Sequence, residues 1–555
     1  MNRFTNYAKK LYDFFRLNYL GTIFGLIGFL LALTPSLMPR PAELLGVVGG
    51  IGFAMGYGVG LLASTTLRHS KFFTELHTAT KQRAWRCLAV AAPLYIIAVT
   101  ALSGYWQNDL LLLLDQDPIE EIGIFIIISL AAVTFAIVLL VSRGFMYLYR
   151  RVRLLIGKIP VPLPYIGGIL AAILILVLVL ELSTGLLQRT AAVAIRASYS
   201  ARNNSMDSAH SQPTSPLRSG SVASESKWEG LGLQGRRFIS AGPTAVEIEK
   251  FTGETAKEPI RVYVGIENAK SRDERIAMTV RELERTGAFD RKLLMIATPT
   301  GTGWIEGETA ASFEFMHGGD TAIATAQYSY LPSGLSFIMD RDEATAMGKG
   351  LFKAIELKVN QLPESSRPKL ITYGLSLGSF GGQSSFANEQ DLAERVDGAL
   401  FVGTPGFSEP WRTFTRERDA KSLQIKPVYN SERVLKFAND TRDIPYDADA
   451  AYKAIYFQYA TDPFVWWDAS LAYRKPDWIS EELGRGVSER LRWTPVLTFI
   501  QISVDQAFSL TIPGDNGHDY SHDTAAATAA ASKPANWSTL KSQLLQNYIE
   551  LHYSD

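Results

Sequence analysis

The sequence predicts a chain in two unlike halves: an all-helical membrane domain of about five spans, then an α/β domain built on a mostly parallel sheet with helices on both faces. Three observations predict it. Long apolar runs crowd the first 190 residues, β-prone runs alternate with helical patterns beyond about residue 227, and one of those runs ends in a glycine-flanked serine. A chain of 555 residues exceeds one ordinary domain at roughly 150 residues each. Its 55 basic and 55 acidic residues cancel, which argues against a nucleic-acid binder, since such proteins carry a basic surplus. The single cysteine, Cys87, precludes an intramolecular disulfide, so the compartment has to be read from topology.

The apolar runs cover residues 19–37, 44–63, 87–102, 122–141 and 165–187. A helix needs about 20 apolar residues to cross a hydrocarbon core about 30 Å thick. These runs are apolar all round, whereas buried helices of a soluble protein keep a polar face. The first lacks a small-residue cleavage site, so it reads as a retained helix and not a signal peptide. Basic residues favour the cytoplasmic side. Arg3, Lys9, Lys10 and Arg16 precede the first run; Arg68, Lys71, Lys81 and Arg83 fill the second loop; Arg143, Arg150, Arg151, Arg153 and Lys158 fill the fourth. The third loop carries Asp109, Asp115, Asp117, Glu120 and Glu121 instead. The expectation is a protein integral to the cell (inner) membrane, with a cytoplasmic N-terminus and everything after residue 187 outside. Gly46, Gly50, Gly52, Gly56 and Gly60 give the spacing that lets helix backbones approach closely. Only Glu181 is ionisable well within a run, which disfavours a transporter.

The expected organisation is a membrane domain over 1–197, a flexible Ser-rich tether over 198–226 and a second domain over 227–555. The tether is read from its Ser, Asn, Pro and Ala content, which offers too little apolar surface to offset ordering entropy. Strands are expected at 260–266, 292–297, 321–327, 370–373, 399–402, 454–459 and 496–500, with helices at 341–359 and 381–394, the alternation of a parallel sheet with crossover helices.

Leu370-Ile371-Thr372-Tyr373 reads as a buried strand that runs into Gly374-Leu375-Ser376-Leu377-Gly378, followed by a helical stretch. Strand, G-x-S-x-G turn and helix together form a nucleophile elbow, in which the serine hydroxyl is exposed above a helix N-terminus. The amide of Leu377 is then placed to stabilise an oxyanion. A serine needs a base, and the elbow predicts an acid and then a histidine downstream. Of the seven histidines, only His518, His522 and His552 follow the elbow. His518, in Pro513-Gly514-Asp515-Asn516-Gly517-His518-Asp519-Tyr520, is the expected base and His522 the runner-up, because a base sits on a late loop. Asp462, at the turn after the 454–459 strand, is the expected acid, with Glu409 and Asp468 as competitors. The loop Thr298-Pro299-Thr300-Gly301-Thr302-Gly303-Trp304 is the expected source of a second oxyanion donor, from Gly303 or Trp304.

These residues resemble the membrane-anchored bacterial α/β-hydrolases that carry a multi-span N-terminal domain. The resemblance rests on Leu33-Thr34-Pro35-Ser36-Leu37-Met38-Pro39-Arg40 in the first half. In the second it rests on Arg285-Thr286-Gly287-Ala288-Phe289-Asp290, Pro299 to Trp304, Gln327-Tyr328-Ser329-Tyr330-Leu331-Pro332-Ser333, the Ser376 elbow, Asp462-Pro463-Phe464-Val465-Trp466-Trp467 and Gly517-His518-Asp519-Tyr520. It implies an α/β-hydrolase domain with Ser376 as nucleophile, Asp462 as acid and His518 as base. The expected activity is that of a serine esterase on membrane lipids or acylated envelope components. An acyltransferase using the same three residues and a non-catalytic envelope scaffold are the alternatives. Neither a metal cluster nor a phosphate-binding glycine loop is apparent, so no cofactor and no nucleic acid are expected. Trp304, Tyr328, Trp411, Trp466 and Trp467 are candidates to line a lipid pocket.

Overall fold

The computed structural model describes residues 16–67, 78–156, 186–206, 209–512 and 514–553. They form two compact units. One comprises the chain up to Arg189 together with Ala469–Lys475 and Gly486–Ala507; the other comprises Thr190–Asp468, Pro476–Arg485 and Phe508–Asp555. The simple division at 197 and 227 is therefore corrected: two later segments belong with the helices.

In the helical unit, Ala42–Leu67, Gln82–Leu113 and Ile124–Tyr149 are long and apolar enough to cross a membrane, and Tyr19–Leu33 is a shorter apolar helix. The run at 165–187 lies almost wholly outside the described residues, as do many of the basic residues used for orientation. Five spans are thus not what the described residues display. Glycines make the packing possible. A Cβ at Gly28 would lie 2.1 Å from the Gly52 carbonyl oxygen, and one at Gly56 2.1 Å from that of Phe24, so the two helix backbones touch. The outward faces keep large apolar groups bare: Val90, Leu94, Phe125 and Val141 are each more than 60% exposed. Bare apolar side chains on helices of this length suit contact with lipid or protein.

The Leu33-to-Arg40 motif finds its partner far along the chain. Arg40 Nε donates to Asp505 Oδ1 at 2.8 Å, and Ser36 Oγ and the Leu37 amide donate to Asp505 Oδ2 at 2.5 and 3.2 Å. Both charged side chains are fully buried. Gln501 Nε2 reaches the carbonyls of Ala32 and Thr34 at 3.1 and 3.2 Å, and Leu497 packs with Ala32 and Val48. These three partners lie on the helix Leu497–Asp505, where the sequence predicts a strand at 496–500. The β-branched residues read as strand, but the tertiary surroundings that bury Leu497 and Asp505 override that weak preference.

The second unit is built on a seven-stranded sheet in the order β1-β3-β2-β4-β5-β7-β6, parallel throughout. The strands are β1 Ile260–Val264, β2 Leu293–Thr298, β3 Thr321–Ala326, β4 Lys369–Leu375, β5 Gly398–Val402, β6 Leu435–Ala438 and β7 Ala454–Phe457. Six coincide with expected strands. β6 escapes the sequence because it is four residues long and broken by half-buried Lys436, as suits an edge strand. Near-continuous burial of β1 to β5 follows from helices covering both faces. The helix expected at 381–394 is split into Leu377–Gln383 and Glu389–Arg395.

The flexible tether is also corrected. Residues 198–204 end the helix Leu186–Asn204. Further on, Arg218 bridges to Arg261 in parallel register. The Ser219 amide donates to the Arg261 carbonyl at 3.0 Å, and Ser226 Oγ donates to the Tyr263 carbonyl at 2.8 Å. Ser219, Ser221, Ser224 and Ser226 are buried. The serines bring hydroxyls and backbone groups that satisfy the open edge of β1; hydrogen bonding orders a segment whose apolar content alone would not.

Candidate active site

The site lies at the C-terminal ends of β4, β5 and β7, neighbours in the sheet. β4 delivers Ser376, which sits at φ 56°, ψ −124°, a conformation that L-residues adopt only under strain. Two contacts hold it there. A Cβ at Gly374 would lie 2.4 Å from the Gly378 carbonyl, and a Cβ at Gly378 would lie 2.2 Å from the Thr298 carbonyl, so both positions of the elbow exclude any side chain. The Ser376 amide donates to the Val402 carbonyl of β5 at 2.9 Å. Leu377 opens the following helix, where the first amides have no intrahelical acceptor.

Asp462 stands five residues beyond β7, fully buried. Its Oδ1 accepts the Phe464 amide at 2.8 Å; its Oδ2 accepts the Tyr520 hydroxyl at 2.7 Å and faces His518 Nδ1 at 2.6 Å. A carboxylate there requires the proton on Nδ1 and leaves the lone pair on Nε2. Among the described residues nothing hydrogen-bonds to Nε2, which is buried. The imidazole lies over Gly403, where a Cβ would come within 2.8 Å of His518 Cε1. Gly403 follows Val402, the acceptor of the Ser376 amide, so the ring and the elbow share one corner of the sheet. The His518 loop is pinned by the Gly517 amide on Thr461 Oγ1 at 3.0 Å and by the His518 amide on the Ser509 carbonyl at 2.9 Å.

Three other candidates are held by different partners. His522 pairs with Glu550 at 3.1 Å, His552 stacks on Tyr548, and Glu409 is an exposed partner of Arg412. The Gly303 amide is spent closing a turn on the Thr300 carbonyl at 2.9 Å, and its carbonyl accepts the Tyr263 hydroxyl at 2.8 Å. Gly303 therefore does not offer a free donor, which corrects that part of the oxyanion assignment. Trp411 and Trp466 are buried, with their indole N–H groups on Gln458 and the Tyr459 carbonyl, and Tyr328 is buried too. Trp304 and Trp467 remain half-buried.

Tyr520 joins this candidate site, and the sequence did not single out its side chain. Its ring stacks on Tyr459 at 4.3 Å, its hydroxyl accepts the Tyr459 amide at 3.1 Å, and it shares Asp462 Oδ2 with the histidine. Burial, then the Asp462 charge, pushes its phenol well above the usual range, so it stays a donor. Spacing two residues from His518 was the available signal, but only the fold shows that both side chains meet one oxygen.

Glu306 is a second buried acid close to this loop. Its Oε2 accepts Thr309 Oγ1 at 2.5 Å and the Tyr373 hydroxyl at 3.2 Å. Burial, reinforced by Glu308, pushes its carboxyl up to about 8, against about 4.3 in an unfolded chain. Between those values the folded state keeps a proton that the unfolded state has lost, so stability falls as pH rises through that window. Glu306→Gln removes this loss. The variant's Tm in detergent is expected to gain on the parent's as pH climbs from 5 to 9; a constant difference would contradict the assignment.

A model of the alpha/beta-hydrolase family matches residues 260–545, and a model of that family's N-terminus matches residues 33–243. No curated protein and no solved structure matches the chain.

Proposed function

Because the chain belongs to the alpha/beta-hydrolase family, we propose that it is a membrane-bound serine hydrolase that cleaves carboxylic esters of lipids or acylated envelope components on the extracytoplasmic side. The observation that carries the reading is the 2.6 Å contact of His518 Nδ1 with buried Asp462, at the sheet corner where Ser376 holds its strained elbow. Ser376 Oγ attacks the ester carbonyl while His518 Nε2 takes its proton. Asp462 stabilises the resulting imidazolium, and the Leu377 amide meets the oxyanion, aided by a donor from the 298–304 loop. Collapse breaks the ester C–O bond; His518 returns the proton to the departing alkoxide, and the acyl group stays on Ser376. Water then repeats the sequence and releases the acid. The three apolar helices and the distribution of basic residues support the membrane setting.

The test is a fluorophosphonate probe applied to the full-length protein in detergent. Labelling is expected on the parent and absent from Ser376→Ala. Undiminished labelling of that variant would sink the assignment.

A further inference from the structure

Aromatic rings line the same edge of the sheet as the elbow, Phe380 buried and its neighbours half-buried. Phe380 lies one turn beyond Ser376, its amide on the Ser376 carbonyl at 3.1 Å. Its ring is 5.6 Å from Phe407, in the loop after β5. Phe407 in turn meets Phe337 at 4.0 Å and Trp467 at 6.2 Å. Phe464, between Asp462 and Trp467 in sequence, lies 4.4 Å from the His518 ring. Phe337, Phe407, Phe464 and Trp467 all keep part of their surface open.

One cation stands on this floor. The Arg341 guanidinium carbon lies 5.1, 5.3 and 5.6 Å from the centroids of Phe337, Phe380 and Phe407. Three rings around one guanidinium favour its position by cation–π attraction, an interaction that uses the face of the group and not its in-plane N–H donors. Two of the neighbouring carboxylates have other partners: Asp340 pairs with Arg196 and accepts Ser329 Oγ, and Glu343 pairs with Arg272, while exposed Asp342 forms no ion pair with Arg341. No carboxylate pairs with Arg341 among the described residues. An exposed arginine by itself is ordinary. A guanidinium held by three rings, one of them a single helical turn from the nucleophile, has the chemistry to receive an anion attached to an apolar group.

We propose that Arg341 determines specificity, and that the substrate is an anionic amphiphile whose apolar part lies on the half-open rings of Phe337, Phe407 and Trp467, backed by buried Phe380, while its phosphate or carboxylate binds Arg341. This rests on the assignment of Ser376 as nucleophile.

The experiment measures how well added compounds protect Ser376 from the fluorophosphonate probe in the full-length protein in neutral detergent. Decyl phosphate, decanol and inorganic phosphate are compared, and each protein is referred to its own uninhibited rate. Decyl phosphate is expected to protect the parent at about tenfold lower concentration than decanol, as suits one charge-assisted contact. Inorganic phosphate should protect weakly. Arg341→Gln should bring decyl phosphate and decanol together, and Arg341→Lys should keep part of the gap, having charge without the planar fork. Equal protection of the parent by decyl phosphate and decanol would overturn the proposal, as would a gap that survives in Arg341→Gln. Protection by inorganic phosphate equal to that by decyl phosphate would overturn the amphiphile. Failure of the parent to label at all is a different result and removes the serine hydrolase reading itself.

Discussion

Asp462→Asn is expected to slow acylation of Ser376 by about four orders of magnitude, the scale on which a triad acid acts when it is neutralised without loss of shape. The amide fits the same space and can still accept the Phe464 amide through its oxygen. Its NH2 group would then face His518 Nδ1, which favours the tautomer with the proton on Nε2. That tautomer cannot take the serine proton, and the imidazolium that forms in the transition state loses its counter-charge. Both effects act on rate, so the folded protein should persist. Probe-labelling kinetics on Asp462→Asn, with a thermal melt as control, measure the effect; a fall of less than tenfold with an intact fold would show that Asp462 is not the acid.

Asp505→Ala should be the most damaging single change outside the active site. It strands Arg40, which is fully buried, and removes the acceptor for Ser36 Oγ and the Leu37 amide. Breaking a buried ion pair on one side costs about 3–5 kcal/mol, a large part of a typical stability of about 5–15 kcal/mol. The expected result is a large loss of monodisperse protein in detergent and a lower Tm for what remains. Replacing both partners, Arg40→Met with Asp505→Leu, should recover much of the loss, because no uncompensated charge is then buried. A full yield from Asp505→Ala would mean that the pair contributes little. The comparison matters because the pair joins residues 465 positions apart in the chain and ties the Gly486–Ala507 segment into the helical unit.

The elbow was legible because its chemistry is local. Gly374, Ser376 and Gly378 must adopt one backbone geometry wherever they follow a strand, and β4 supplies that strand from a contiguous apolar run. Asp462 and His518 were readable for a related reason: the parallel sheet brings successive strand ends to one edge, so chain order and position after a strand restrict the candidates. His522 is only four residues from His518, and the sequence could rank the two but not separate them. In the fold His518 faces Asp462 at 2.6 Å, whereas His522 pairs with Glu550.

Other features depend on partners distant in sequence. Residues 496–500 look like a strand until Leu497 is set against Ala32 and Val48 in the helical unit. Residues 209–226 look like a loose linker until the bare edge of β1 offers their serines hydrogen bonds. Gly303 looks like an oxyanion donor until its amide is seen to close on Thr300.

The sequence by itself determined that an apolar helical part precedes an α/β part, and the chain order of Ser376, Asp462 and His518 as candidates, because periodicity and turn chemistry are properties of neighbouring residues. Only the tertiary structure decided that Asp505 is the partner of Arg40, that the serine-rich segment is part of the sheet edge, and that Tyr520 shares an oxygen of Asp462 with His518. Each is a buried polar contact between segments remote in the chain, and whether such a group is satisfied depends on three-dimensional proximity that no local pattern encodes.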